Sequence, residues 1–283
     1  MLLMSFLHVS VQTDLQKVLS TGATEVAHHA KTTDLALPPR QVIIVQSDNR
    51  ELSCSEKSNH YPTLSAVINY LYAKQHQYNY IRYQYVSEID GNVQQGETDS
   101  VKTEATCESR ASPWCKILSV YDALKNLRNG HDIAVFVDSD AAFIQPSVSI
   151  MDYLNTTEFA EGRDNRDSSI IITRDYPYHP EPHSCTGMFM VKNNDIAKEI
   201  LKQWWINGNR FPDFFHKHPF EQETWNKYIN INQNYSSHIG VLKDYSLTER
   251  AIFLRHAISK NLLIFDIRNS FHQPFLTIQG RLK

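Results

Sequence analysis

Two aspartates one residue apart, Asp138 and Asp140, follow directly on five apolar residues, Ile133 to Val137, in the stretch DIAVFVDSDAAFIQPSV. Neighbouring carboxylates repel unless a cation or a shared proton compensates them. In an extended chain residues i and i+2 point to the same side, so this pair is expected to converge just past a buried strand. Oxygen donors without cysteine suit Mg²⁺ or Mn²⁺ rather than structural zinc. Such an ion keeps positions open for phosphate oxygens and can stabilise a diphosphate as a leaving group. Acid pairs at the same spacing occur at Glu88/Asp90, Glu97/Asp99 and Glu221/Glu223. Only Asp138/Asp140 follows a buried strand and is followed at once by apolar AAF. The competing reading is a solvated polar turn at a strand end.

The elements that must position this pair are read from periodicity. Gln41–Ser47 (QVIIVQS) is a short buried strand that closes on Asp48-Asn49-Arg50. Pro62 opens a helix with Leu64, Val67, Ile68, Leu71 and Tyr72 at helical spacing, and YNYIRYQYV alternates as a second strand. Residues 87–111 are polar and read as a loop. SPWCKILSVYDALKNLRNG predicts a helix with Ser112 as N-cap, Pro113 at its first position and Gly130 past its end. After the Asp138 strand come a short helix near Ser147–Leu154, strands SIIITRD and GMFMVKN, and the helix DIAKEILKQWW. Strand and helix alternate, which predicts an α/β fold of parallel βαβ units with both sheet faces covered. Ligands in such sheets sit beyond the carboxyl ends of the strands, so the loops at Asp48 and Asp138 can face one crevice, and Asp175 is another strand-end acid. Lys116 either neutralises a phosphate from there or lies on a solvated helix face.

The totals exclude several classes. At 283 residues, 41% hydrophobic and 11% aromatic, the chain can bury a full core. A net charge of -3 supplies no global positive field for nucleic acid. MLLMSFLHVS is too short to span a bilayer, lacks the basic region of a secretory signal, and no later run reaches transmembrane length. Residues 1–40 read as a leader and 41–283 as one domain. Cys54, Cys107, Cys115 and Cys185 fit no metal-ligand spacing; pairing of Cys107 with Cys115 and free thiols both stay open, and the compartment with them. The two prolines in HPEPH make a rigid turn, so His179, Glu181 and His183 are not read as a zinc site.

With these residues in place, FVDSDAAF resembles the D-x-D strand end of nucleotide-sugar glycosyltransferases of the GT-A fold. The order of the surrounding pieces is similar to the galactosyl-, xylosyl- and mannosyltransferase family of plants and fungi. The matching pieces are the aromatic segment NYLYAKQHQYNYIRY, a Trp-x-Lys helix at Trp114 and Lys116, the D-x-D pair, SCTGMFMVKNNDIAKEILKQWW, a Gln-acid pair at Gln222-Glu223, and RHAISK. Cys185 stands where that family has Asn, and Ser259 where it has Gly. The resemblance covers roughly residues 41–260.

It implies a GT-A (Rossmann-like), mostly parallel central sheet flanked by helices in a single domain. It also implies retaining, Mn²⁺- or Mg²⁺-assisted transfer of a hexose or pentose from a nucleotide-diphosphate sugar to a glycan or other hydroxyl acceptor. On this reading Asp138, Asp140 and His256 hold the metal. Asp48, Lys116, Asp138 and Lys260 bind the donor, with Arg255 and Lys260 flanking His256 as phosphate candidates. Gln222, Glu223 and Asp175 meet the donor sugar. The family works in the Golgi lumen; with no anchor visible, a cytoplasmic location is the alternative. Two other functions compete. Haloacid-dehalogenase-like phosphatases also end a strand in D-x-D but continue to Thr or Val two residues on, where this chain has Ala142. A non-catalytic nucleotide-sugar-binding protein on a decayed scaffold is motivated by Cys185 and Ser259.

Overall fold

β-Branched and aromatic residues concentrate in short runs, and those runs pair into a six-stranded sheet in the order β2-β1-β3-β6-β5-β7. The computed structural model describes residues 41–50, 52, 61–85, 107, 110–128, 130, 132–159, 167–175, 183–243 and 254–256. The proposed leader 1–40, Ser259 and Lys260 lie outside the described residues. The strands are β1 (Val42–Asp48), β2 (Asn79–Gln84), β3 (Ile133–Val137), β4 (Ala141–Phe143), β5 (Ile170–Arg174), β6 (Ser184–Lys192), β7 (Ile239–Leu242) and β8 (Leu254–His256). The helices are α1 (Tyr61–Gln75), α2 (Cys115–Ala123), α3 (Ile150–Thr156), α4 (Asp195–Asn207), α5 (Glu221–Thr224) and α6 (Gln233–Ser236).

β1 pairs in parallel with β2 and β3, and β5 in parallel with β7, whereas β6 runs against both of its neighbours, β3 and β5. This is the mostly parallel, helix-flanked single domain that the alternation predicts. Alternate residues of β1 feed opposite faces. Ile43 and Val45 join Phe136, Phe189 and the three fully buried tryptophans Trp114, Trp204 and Trp225 on one side. Val42 and Ile44 join Val135, Val137, Tyr72 and Phe143 on the other. Burial on both faces explains why β3 carries an unbroken apolar run. A second, two-stranded sheet pairs β4 with β8 antiparallel, with Ala141 opposite His256 and Phe143 opposite Leu254.

Two helix starts depart from expectation. Ser112 caps nothing: Ser112–Trp114 forms a 3₁₀ turn led in by extended Ala111, with no side-chain cap, and α2 begins only at Cys115. Trp114 sets that start. Its backbone N–H donates to Ala111 O (3.0 Å), and its indole Nε1 donates to Phe214 O (3.0 Å). The helix expected near Ser147 begins at Ile150, because Ser149 is the residue that accepts from the Asp152 backbone N–H. The helix expected to run up to Gly130 stops earlier: α2 passes into a 3₁₀ turn at Leu124–Asn126 that ends on extended Leu127, and Gly130, with φ of 72°, lies in the loop beyond rather than at the helix end. Cys107 and Cys115 are joined in a disulfide that anchors the start of α2, so the open cysteine question resolves to a pair. No described helix is long and apolar enough to cross a membrane.

Candidate active site

The chain does not stay extended through the aspartate pair. The Ala141 backbone N–H donates to Asp138 O (3.0 Å), so Asp138, Ser139, Asp140 and Ala141 form a turn between β3 and β4. Same-side convergence of extended residues therefore does not describe the pair; both carboxylates belong to one tight turn. Three buried polar side chains hold it. Gln46 Nε2 of β1 donates to Asp138 O (3.0 Å). From α1, Ser65 Oγ and Asn69 Nδ2 both donate to Ala141 O (2.5 and 2.9 Å), and Asn69 Oδ1 accepts from the Phe143 N–H (3.1 Å). The Asp138 N–H donates to Gly187 O (2.8 Å), extending the β3–β6 ladder into the turn.

Beneath the turn lies a buried ion pair. Lys116 Nζ is 2.9 Å from Asp138 Oδ1 and 2.7 Å from Glu221 Oε1, and it donates to Thr186 O (3.3 Å). Lys116 is only 4% exposed and Glu221 2%, while the Asp138 side chain keeps 26%. The lysine is thus on no solvated helix face. Burial opposes its charge, but Asp138 and Glu221 outweigh that and drive its pKa upward, so it stays cationic. Burial pushes the Glu221 carboxyl up, with Lys116 pulling the other way.

A local irregularity in β6 builds the rest. Ile172 pairs with Phe189 but Thr173 with Cys185, so Thr186, Gly187 and Met188 bulge away from β5. Bulges re-aim strand residues beside functional sites. Here the freed Thr186 N–H donates to Gln222 Oε1 (3.1 Å), and its hydroxyl donates to Glu221 Oε1 (2.8 Å). Gln222 Nε2 in turn donates to Asp175 Oδ2 (2.9 Å), just past β5. Burial, with the charges of Asp175 and Asp138 adding to it, pushes the nearby Cys185 thiol up to about 12, so it remains protonated at neutral pH.

On the opposite flank, Asp48 at the end of β1 is gripped by Arg50, with Nη2 to Oδ2 at 2.6 Å and Nε to Oδ1 at 2.8 Å. The same Nη2 donates to Ser139 Oγ (3.0 Å), tying the first strand end to the aspartate turn. Burial alone would raise the Asp48 pKa, but hydrogen bonds from Arg50 and Ser139 reverse the sign and hold it below the ordinary 3.8. Such a group stabilises the fold above its unfolded pKa, and that contribution is lost as pH falls through the lower folded value. Asp48→Asn is expected to cost about 1–2 kcal/mol at pH 7, moderated by the solvated side of Arg50. It should also flatten the acid limb of stability measured by urea denaturation below pH 4. Equal pH slopes for variant and wild type would refute the assignment.

The structure therefore gathers Asp138, Asp140, Lys116, Asp175 and Gln222 around one strand-end region, with Asp48 joined through Arg50 and Ser139. Glu223 pairs instead with Lys227 one turn along. His256 enters by its backbone, opposite Ala141 and so beside Asp140 in register; its side chain lies outside what is described. Among the described residues no group of three or more His, Cys, Asp and Glu side chains is arranged to hold a metal ion. Sequence reasoning missed Glu221, Thr186 and Arg50. A signal for Glu221 was present: it shares a helical stripe with Trp225 and Ile229, both fully buried, where an unpaired acid does not belong.

No family model matches the sequence, and no curated protein matches it. Among solved structures, a glycosyltransferase involved in the glycosylation of the major capsid of PBCV-1 superposes with a TM-score of 0.51 at 16% identity, covering 80% of this chain and 98% of that one. The galactosyltransferase LgtC, in complex with donor and acceptor sugar analogs, superposes with a TM-score of 0.42 at 11% identity, covering 85% and 100%. The second overlap is too loose to carry weight. The fold class is nonetheless defined: a GT-A-like, Rossmann-type α/β domain with the candidate site at the carboxyl end of β3.

Proposed function

We propose that this chain is a metal-dependent glycosyltransferase that moves a hexose or pentose from a nucleotide-diphosphate sugar to a glycan or other hydroxyl acceptor, with retention. One observation carries the reading. The aspartate turn runs directly into β4, and β4 pairs with β8 so that His256 stands across from Ala141, next in the chain to Asp140. A third donor from the C-terminal segment thereby has its backbone beside the carboxylate pair.

The donors suit Mn²⁺ or Mg²⁺: two hard carboxylates in one turn, with an imidazole as an acceptable partner for Mn²⁺. Asp138, Asp140 and His256 would hold the ion, whose contribution when bound is to neutralise the charge of a departing diphosphate. The remaining work falls to this chain's own groups. Lys116 fixes the Asp138 carboxylate, and Asp48, with Arg50, borders the nucleoside end of the crevice. Gln222 and Asp175, already hydrogen-bonded to each other, offer polar atoms to the donor sugar, with Glu223 one residue further on. Lys260 meets the phosphates. The leaving diphosphate takes the proton of the incoming hydroxyl, and no side chain is assigned as nucleophile. The Cys107–Cys115 disulfide supports an oxidising compartment, which the Golgi lumen of the resembling family would supply.

Screening a panel of nucleotide sugars for Mn²⁺-stimulated hydrolysis tests this reading. Asp140→Ala is expected to lower the stimulated rate at least about a hundredfold, equivalent to about 2.7 kcal/mol. Unchanged hydrolysis in that variant would remove the metal role. Binding of nucleotide diphosphates without hydrolysis or transfer would favour a non-catalytic sugar-nucleotide-binding protein instead.

A further inference from the structure

Asp138 meets a cation before any ligand arrives. The Lys116 ammonium, 2.9 Å from Asp138 Oδ1, is fixed by Glu221 at 2.7 Å and by the carbonyl of Thr186 at 3.3 Å, and it lies 5.2 Å from the Phe136 ring centroid. Both members of the pair are buried, so any influence they have on a ligand acts through Asp138, the partly exposed member. They are positioning residues.

A unit charge in contact with a carboxylate opposes the approach of a second cation to that carboxylate. Glu221 is joined to Asp138 only through the shared ammonium among the contacts described. Coulomb energy falls with distance, so the negative charge of Glu221 offsets that of Lys116 only in part at Asp138. The remainder weakens the turn as a site for a divalent ion alone. A diphosphate brings compensating negative charge along with oxygen ligands, and the balance then favours the ion.

We propose that the Lys116–Glu221 ion pair holds down the affinity of the Asp138/Asp140 turn for a divalent cation until a diphosphate occupies the site, so that metal and nucleotide bind as a coupled pair. The inference rests on the metal-dependent reading of this site.

The test is a Mn²⁺ titration followed by the electron paramagnetic resonance signal of free Mn²⁺. It is run without nucleotide, with uridine diphosphate and with guanosine diphosphate, and corrected for Mn²⁺ held by the nucleotide in solution. Wild type should bind Mn²⁺ about tenfold or more tighter with its matching diphosphate, within the usual range of coupled sites. The charge-neutral double variant Lys116→Met/Glu221→Gln should bind Mn²⁺ alone about tenfold tighter than wild type, and the gain from diphosphate should shrink accordingly. Glu221→Gln alone leaves the ammonium unbalanced and should weaken Mn²⁺ binding several-fold. A merely structural ion pair would move neither value. If wild type shows the coupling but the double variant has wild-type affinity for Mn²⁺ alone, the inference is overturned while the transferase reading stands. If wild type binds no Mn²⁺ with either diphosphate, the metal-dependent reading falls and takes the inference with it. Should circular dichroism show the double variant unfolded, Glu221→Gln decides: unchanged or tighter Mn²⁺ binding overturns the proposal.

Discussion

Replacing Lys116 with methionine is expected to cost about 3–5 kcal/mol of folding stability, the penalty for stranding one partner of a buried ion pair. At roughly 2–4 °C per kcal/mol for a domain of this size, the melting temperature should fall by roughly 10 °C. The residue left behind is Glu221. Its Oε1 would keep only the Thr186 hydroxyl and the Gln222 neighbourhood, and its buried Oε2 has no hydrogen-bond partner among the described residues. Glu221→Gln should cost less, because the lysine it leaves is still in contact with Asp138 at 2.9 Å. This inequality separates an ion triad from a simple packing effect, which would penalise loss of either side chain alike.

The pH dependence has a definite sign. Burial already raises the Glu221 pKa, and removing the lysine that opposes this raises it further. A carboxyl with a raised folded pKa loses stability as pH rises from its unfolded value through its folded one, because only the unfolded chain ionises freely there. The Lys116→Met variant should therefore lie closest to wild type near pH 5 and furthest from it near pH 8. Lys116→Met/Glu221→Gln should recover most of the loss at pH 8, since replacing both members of a buried pair is often neutral. Guanidinium denaturation at the two pH values measures all of this. A single variant as stable as wild type, or a double variant no better than the single, would contradict the triad.

What was legible in the sequence follows from how locally each feature is encoded. The apolar run 133–137 and the acids that end it lie in one segment, so strand β3 and its carboxylates were readable without a partner. The same holds for α4, whose Asn194 cap and apolar stripe are contiguous. Glu221 was not legible in this way. The helix dipole also accounts for an acid in a first turn, which masks the signal of the apolar stripe beside it, and its partner Lys116 lies on a different helix far along the chain. The bulge at Thr186–Met188 was hidden for a related reason. GMFMVKN reads as an unbroken strand, and only the competing demands of β3 and β5 on its two edges show where the register slips. Ser112 failed as a cap because burying Trp114, an event of tertiary packing, decides where that helix begins.

Trp204 connects this site to the core, and its removal is the second large effect expected. The indole is fully buried on α4, edge-on to Phe189 of β6 at 5.4 Å and to Trp225 at 4.7 Å. Its Nε1 donates to the carbonyl of Glu221 (2.8 Å), so the same side chain fills the core and fixes the backbone that presents the acid to Lys116. Trp204→Ala should cost about 3–5 kcal/mol, the range for emptying a large aromatic site. Trp204→Phe retains most of the ring contact but removes one of the two N–H groups from which the Glu221 carbonyl accepts, the other being the Trp225 backbone N–H, which costs about 0.5–1.5 kcal/mol. The two variants divide the contributions. If Glu221 depends on this hydrogen bond, Trp204→Phe should lower stability and also weaken Mn²⁺ binding in the absence of nucleotide, the direction expected for Glu221→Gln, although the residue itself meets no ligand. Urea denaturation of both variants, combined with the Mn²⁺ titration of Trp204→Phe, reads the outcome. A Trp204→Ala loss below about 1 kcal/mol would mean the site had collapsed to fill the void. Unaltered Mn²⁺ affinity in Trp204→Phe would confine the indole to a packing role, because the Trp225 N–H alone would then hold the Glu221 backbone in place.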